Sequence, residues 1–167
     1  MKCYKIVSKW DEVVNHKISL QNNMLIGEYI HTLDEKKRLS LPVKFRKEMG
    51  KKIVLTSGLD NCLFIFTMKQ WENISNKLSE ANMLKADNRS FNRYMFGSAT
   101  EVEIDGLGRM LVPDFLVTRA NLKGRVAIIG VQDRAEIWNE EAWNAYKNVV
   151  EKEADSLAEK LGGAGML

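Results

Sequence analysis

The chain repeats itself. The stretch LDEKKRLSLPVKF, Leu33 to Phe45, returns 71 positions later as IDGLGRMLVPDFL, Ile104 to Leu116. Asp34 matches Asp105, Arg38 matches Arg109 and Pro42 matches Pro113, and these are the only two prolines of the 167 residues. One inserted residue later the parallel resumes, with Gly58 against Gly130, Phe66 against Trp138 and Trp71 against Trp143. A duplication constrains architecture before any local reading does, because one supersecondary unit must serve twice. Each unit is only about 50 residues, too small to bury a comfortable core alone. The two copies are therefore expected to pack on each other as a pseudo-dimer within one chain.

Local patterns give each copy the same plan. In the first, Glu28 to Leu33 reads as a strand, Asp34 to Lys37 as a polar turn, and Arg38 to Leu41 as the returning strand. Pro42 suits the start of a short helix that Gly50 ends. Ile53 to Thr56 and Leu63 to Phe66 are short apolar strands around a turn at Gly58 to Asn61. Thr67 with Gln70 forms a capping box for a helix that buries Trp71, Ile74 and Leu78. A connecting helix is expected over Asp87 to Phe96, stopped by Gly97. In the second copy Val102 to Ile104 leads into the turn Asp105 to Gly108, and Arg109 to Val112 returns. A helix from Pro113 ends near Asn121, and strands follow at Val126 to Ile129 and Ala135 to Trp138. Asn139 caps a last helix with Trp143, Tyr146, Val150 and Leu157 on its buried side, ending at Gly162 and Gly163. The division is thus an N-terminal extension over 1–23, a first module over 24–80, a connecting helix over 81–96 and a second module over 97–167. For the extension, which holds Lys5, Lys9, Trp10 and His16, two readings stay open: an appended arm, or sequence upstream of a start at Met24.

Net charge is only +3, but its distribution is uneven. Residues 24–80 hold ten Lys/Arg against seven Asp/Glu, whereas residues 81–150 hold nine of each. The basic stretch Lys36, Lys37, Arg38, Lys44, Arg46, Lys47, Lys51 and Lys52 surrounds the first turn. Cys3 and Cys62 suggest no disulfide framework, and Cys62 sits in an apolar run that favours a buried thiol. With no apolar run near membrane-span length and no secretory h-region, a cytoplasmic protein is expected.

The sharpest motif is Asp-x-x-x-Arg, present as Asp34 with Arg38 and as Asp105 with Arg109. Across a tight turn, residues four apart approach each other. The aspartate can then accept turn amides and orient the guanidinium through a charge-assisted bond. Turn stabilisation is the favoured role of Asp34 and Asp105. For the arginines two roles stay open, hairpin stabilisation or contact with nucleic acid. A planar fork on a rigid ribbon suits guanine edges and phosphates, and a two-stranded ribbon fits the DNA major groove. Core packing is preferred over base stacking for Phe45, Phe64, Phe66, Trp71, Trp138 and Trp143, and a plain surface position over a DNA contact for His31. No phosphate loop, dinucleotide fingerprint, nucleophile elbow or metal-ligand spacing is present, so no cofactor, metal or enzymatic reaction is expected.

Together with Ile26-Gly27-Glu28-Tyr29, Arg38 to Pro42, Leu55 to Phe66, Gly97 to Glu101 and Ile129 to Val131, these residues closely resemble the MraZ family of bacterial transcriptional regulators. The resemblance runs from Met24 to about Gly163. It implies a mixed α/β fold of two tandem swapped-hairpin modules of the SpoVT/AbrB type. It also implies ring-like homo-oligomers, a nucleoid-associated location, and binding to short direct repeats in the promoter of the protein's own division and cell-wall gene cluster. On that basis Arg38, Arg109, Lys36, Lys37 and Arg46 face double-stranded DNA. Lys37 stands where relatives commonly have glycine, as Gly108 does in the second turn. The alternative reading is an antitoxin-like or other protein-interaction module.

Overall fold

The computed structural model describes residues 24–164. The N-terminal extension over 1–23, with Cys3 and His16, and the last three residues lie outside the described residues. In chain order the elements are β1 (Leu25–Thr32), β2 (Arg38–Ser40), α1 (Val43–Met49), β3 (Lys52–Ser57), β4 (Leu63–Thr67), α2 (Met68–Ser79) and α3 (Ala86–Ser98). The second half continues with β5 (Thr100–Glu103), β6 (Arg109–Leu111), α4 (Asp114–Arg119), β7 (Arg125–Gln132), β8 (Ala135–Asn139) and α5 (Glu140–Gly163). The fold is mixed α/β.

The two copies are interleaved rather than merely docked. Six strands form one antiparallel sheet in the order β1-β7-β8-β4-β3-β5, and β2 and β6 form a separate two-stranded ribbon. Strand β1 of the first copy pairs along its length with β7 of the second, and β5 of the second pairs with β3 of the first. The strand returning from each turn therefore does not continue down its own hairpin. After the single bridges Leu33↔Leu39 and Ile104↔Met110, β2 and β6 leave to pair with each other. Two contacts mark an internal twofold relation. In the ribbon Leu39 lies opposite Met110, its own counterpart 71 positions on, and at the sheet centre Phe64 lies opposite Glu136, its counterpart 72 positions on.

The sheet register revises one detail of the repeat. Ser57↔Leu63 closes the first β-turn loop and Gly130↔Ala135 closes the second, which equates Ser57, not Gly58, with Gly130. The first of these loops is one residue longer, and this absorbs the slip before Phe66 and Trp138 fall back into step.

Interleaving follows from what each copy must bury. The inner core takes Leu39, Leu41 and Phe45 from one copy and Met110, Val112 and Leu116 from the other, over Ile53, Leu55, Ile128 and Ile137 of the sheet. Each such side chain contributes about 1.5–3 kcal/mol on burial. Neither copy has enough of them to close a core alone. Pro42 and Pro113 occupy equivalent N-cap positions of α1 and α4 with extended backbone, so neither needs the amide that proline lacks.

The outer face of the sheet carries a second cluster: Cys62, Phe64, Phe66, Met95, Ala127, Ile129 and Trp138, with Trp71, Ile74 and Leu78 of α2 half-buried against it. The expected Thr67 box is present, with the Gln70 amide donating to Thr67 Oγ1 at 3.1 Å and the Thr67 amide to Gln70 Oε1 at 2.9 Å. Burial pushes the Cys62 thiol up, so it stays protonated. Two expectations fail on this face. Helix α3 runs through Gly97 to Ser98, because the Ser98 hydroxyl must reach β3, where it accepts from the Ser57 amide and meets Thr56 Oγ1 at 3.0 Å. Along α5, Trp143 and Val150 are only half-buried, while Tyr146 and Leu157 are exposed. The start of the helix packs on β8 through Trp138, and from Glu151 onward every described residue is exposed.

Candidate nucleic-acid interface

The ribbon and its two turns hold the predicted site residues. Each turn is built on its aspartate. Asp34 Oδ1 accepts the Arg38 amide at 2.9 Å, and Asp34 Oδ2 accepts Arg38 Nε and Nη2, each at 2.7 Å. The second turn repeats this: Asp105 Oδ1 accepts the Arg109 and Leu107 amides at 2.9 Å, and Oδ2 accepts Arg109 Nε at 2.8 Å and Nη2 at 2.7 Å. Backbone bonds from Lys37 N to Asp34 O and from Gly108 N to Asp105 O close both turns. The hydrogen bond to the Arg38 amide, joined by the guanidinium, holds Asp34 below its ordinary value of 3.8. For Asp105 the Arg109 side chain is the leading cause of the same shift. Both carboxylates are charged at neutral pH and keep the arginines oriented.

Ribbon geometry places the two motifs together. Leu39 and Met110 point into the core, so Arg38, Ser40, Arg109 and Leu111 share the opposite face. Arg38 stands opposite Leu111 and Arg109 opposite Ser40. The two arginines are thus diagonal neighbours, with backbones about 7–8 Å apart. Their side chains remain about one-third exposed, at 35% and 30%. Each aspartate occupies the Nε side of its guanidinium. Among the described residues, Nη1 of neither arginine has a partner, so the outer edge of each fork is available for bidentate bonding.

The three remaining predicted residues divide. Lys36 is exposed at the tip of the first turn. Lys37 is half-buried and reaches across the ribbon to Asp114 at 2.6 Å, so its charge is already met within the fold. Its backbone takes a left-handed φ of 58°, close to the 78° of Gly108, and the turn closes identically in spite of the side chain. Arg46 is also half-buried. It donates from Nε to Leu41 O at 2.8 Å, and a Cβ at Gly108 would overlap its guanidinium. Arg46 thereby braces the first copy's helix against the second copy's turn. With Lys51 and Asp105 it lines an open cleft of about 520 Å³ beside that turn. His31 is not a plain surface residue. It is half-buried, and burial, reinforced by Arg46, pushes its imidazole below 6.5.

Cross-repeat backbone bonds fix the assembly: Leu41 N donates to Gly108 O and Val112 N to Lys37 O, each at 2.9 Å. These two are a symmetric pair, since both residues of each bond are shifted by 71. Sequence reading missed the outward side chains Ser40 and Leu111. The alternation Arg-Leu-Ser and Arg-Met-Leu carried the signal, since flanking residues of a strand share the face opposite the middle one.

No helix among the described residues is long and apolar enough to cross a membrane, and no group of three metal-ligating side chains comes together. A family model described as "MraZ protein, putative antitoxin-like" matches twice, over residues 24–94 and 95–161. The chain is 45% identical over 138 residues to the transcriptional regulator MraZ of Thermoanaerobacter sp. (strain X514), covering 83% of this chain and 96% of that protein. The regulator of the same name from Caldicellulosiruptor saccharolyticus is 44% identical over 143 residues, covering 86% of this chain and all of the relative. That from Alkaliphilus metalliredigens is 41% identical with the same coverage. Two matched copies, placed on an interleaved pseudo-dimer with a paired Asp–Arg turn in each, lead to one assignment: the chain belongs to the MraZ family, whose relatives are transcriptional regulators.

Proposed function

We infer that this protein is a sequence-specific DNA-binding transcriptional regulator that carries Arg38 and Arg109 into the major groove on the β2–β6 ribbon. One observation supports the reading above the others: both guanidinium groups lie on one exposed face, each pre-oriented by its own aspartate with an outer edge free. Such preorganisation removes the cost of fixing a long side chain when it meets a base edge. Lys36 supplies a phosphate contact beside Arg38. Arg46 and Lys37 contribute chiefly by holding the ribbon, with Arg46 also within reach of a phosphate seated in the adjoining cleft. The target is the set of direct repeats in the protein's own division and cell-wall promoter. A ring-like homo-oligomer would engage several repeats at once and gain avidity without new contacts.

The test is binding of the full chain to the DNA upstream of its own coding sequence, followed by fluorescence anisotropy. Arg38→Ala and Arg109→Ala should each weaken binding by about 1–3 kcal/mol with oligomer size unchanged. Lys36→Ala should lower the salt slope by about one unit. Unaltered affinity in the Arg38→Ala, Arg109→Ala double variant would defeat the reading. The antitoxin-like alternative has one observation in its favour, the exposed far half of α5. It predicts a partner protein whose binding is abolished by removing residues 151–167 while DNA affinity stays intact.

A further inference from the structure

The two halves of the ribbon share a backbone but not a surface. Arg38 and Arg109 are counterparts, yet three positions near them carry a cation or hydroxyl in the first copy and an apolar side chain in the second. Lys36 in the first corresponds to Leu107 in the second, Ser40 to Leu111, and Lys44 to Phe115, all at the spacing of 71. The apolar members are open to solvent: Leu107 is 65% exposed, Leu111 58% and Phe115 49%. A fourth position runs the other way, with the exposed Val43 of the first copy against Asp114 of the second.

The register makes this asymmetry local. Leu111 lies directly opposite Arg38, while Arg109 lies opposite Ser40. Side chains opposite each other on one ribbon face sit about 4.5–5.5 Å apart, between one and two steps of a duplex whose base pairs stack about 3.4 Å apart, so the two can address neighbouring base pairs. The ribbon therefore presents two unlike corners, one Arg–Leu and one Arg–Ser. An exposed leucine alone means little on a protein surface. Here it is flanked by two aspartate-oriented guanidinium groups whose charge favours a polyanion. The apolar feature that a duplex offers beside a guanine edge in the major groove is the C5-methyl group of thymine.

We propose that the ribbon reads DNA unequally, with Leu111 taking a thymine methyl group next to the base pair contacted by Arg38, and Leu107, in the turn before Arg109, taking one at the ribbon's other end, while Lys36 and Lys44 of the first copy grip phosphates. This rests on the DNA-binding reading above and adds what distinguishes one ribbon corner from the other. The unlike corners are the chemistry by which an internally twofold ribbon would fit the direct repeats proposed above, since each corner demands a different neighbour for its contacted base pair.

The experiment compares two duplexes of the protein's own upstream DNA, one natural and one with every thymidine replaced by deoxyuridine, which removes only the methyl groups. The full chain should bind the methyl-free duplex about fourfold more weakly for each thymine methyl that a leucine covers. Leu111→Ser, which installs the chemistry of Ser40, should reduce that penalty, and the Leu107→Ser, Leu111→Ser double variant should abolish it. Both should keep the salt dependence of the unsubstituted chain, because no phosphate contact is removed. Lys36→Ala should do the opposite, lowering the salt slope while keeping the methyl penalty. Equal affinity of the unsubstituted chain for the two duplexes, or a penalty that survives in the double leucine variant, overturns the inference and leaves DNA binding standing. Failure to bind either duplex defeats the underlying DNA reading and this inference with it.

Discussion

The turn at Asp34 to Arg38 and the turn at Asp105 to Arg109 differ at every position between their ends, yet they have the same shape. Glu35-Lys36-Lys37 occupies one and Gly106-Leu107-Gly108 the other. Both close with an amide donated to the aspartate carbonyl, both place a left-handed residue before the arginine, and both deliver the same carboxylate–guanidinium contact. Backbone geometry here depends on the aspartate and on the partner copy's hydrogen bonds, not on the residues between. The intervening positions are then free to differ in charge. The left-handed position shows where that freedom ends. Lys37 points to Asp114, where there is room, whereas Gly108 lies beneath the Arg46 side chain, which would have to move from its bond to Leu41 O to admit a Cβ.

The largest expected effect tests the sharing of the ribbon. Leu39 and Met110 are counterparts, fully buried and mutually opposed. Leu39→Ala and Met110→Ala should each cost about 2–5 kcal/mol in chemical denaturation. A cost below about 1 kcal/mol at either position would break the equivalence. Next comes the exchange of left-handed residues. Gly108→Lys should destabilise by about 1–3 kcal/mol, because its side chain must displace Arg46. Lys37→Gly should change stability by no more than about 1 kcal/mol. Its relief of left-handed strain is offset by greater freedom of the unfolded chain and by removal of the Asp114 ion pair. Similar outcomes for the two exchanges would mean that the turns are not held differently.

Equivalent helix starts provide a smaller comparison. Thr67 and Asn139, 72 positions apart, both cap a helix, but only Thr67 has the reciprocal glutamine. Thr67→Ala and Asn139→Ala should each cost about 1 kcal/mol in thermal denaturation. Gln70→Ala should add a further destabilisation at the first helix alone. The gentlest probe is acid. Asp34 and Asp105 are held below 3.8, so their contribution to stability is complete above that value and is lost as pH falls through the lower folded-state values. Asp34→Asn and Asp105→Asn should each flatten the acid limb of a stability–pH curve. An acid limb unchanged in both would remove the carboxylate–arginine contact from the linkage.

Much of the fold was legible because its signals are local and periodic. Every strand and helix expected between Glu28 and Gly163 exists, within a few residues at the ends. The two Asp-x-x-x-Arg motifs identified the turns because each lies between two strand-like segments, where a spacing of four brings the pair together across a reversal. The misreadings came where distant residues decide. Gly97 did not stop α3, because Ser98 has hydrogen bonds to make on β3. The apolar stripe of α5 overstated its burial, because periodicity records which face is apolar and not whether anything covers it. Among the site residues, Arg38, Arg109 and Lys36 stand at least partly open to solvent. Lys37 also pairs with Asp114 of the other copy, and Arg46 donates to Leu41 of its own copy while lying against Gly108 of the other, which no reading of the basic stretch in isolation could supply.

The amino-acid order by itself determined the duplication, the position of both turns, the aspartate–arginine pairing within each, and the family. These depend on residues within a few positions of one another or on a direct comparison of two stretches. Tertiary structure alone decided that β2 leaves its own hairpin for β6, so that the two arginines share one face opposite Leu39 and Met110. Pairing across about 70 residues is set by which apolar faces must be covered together, a property of the assembled core and not of any local segment.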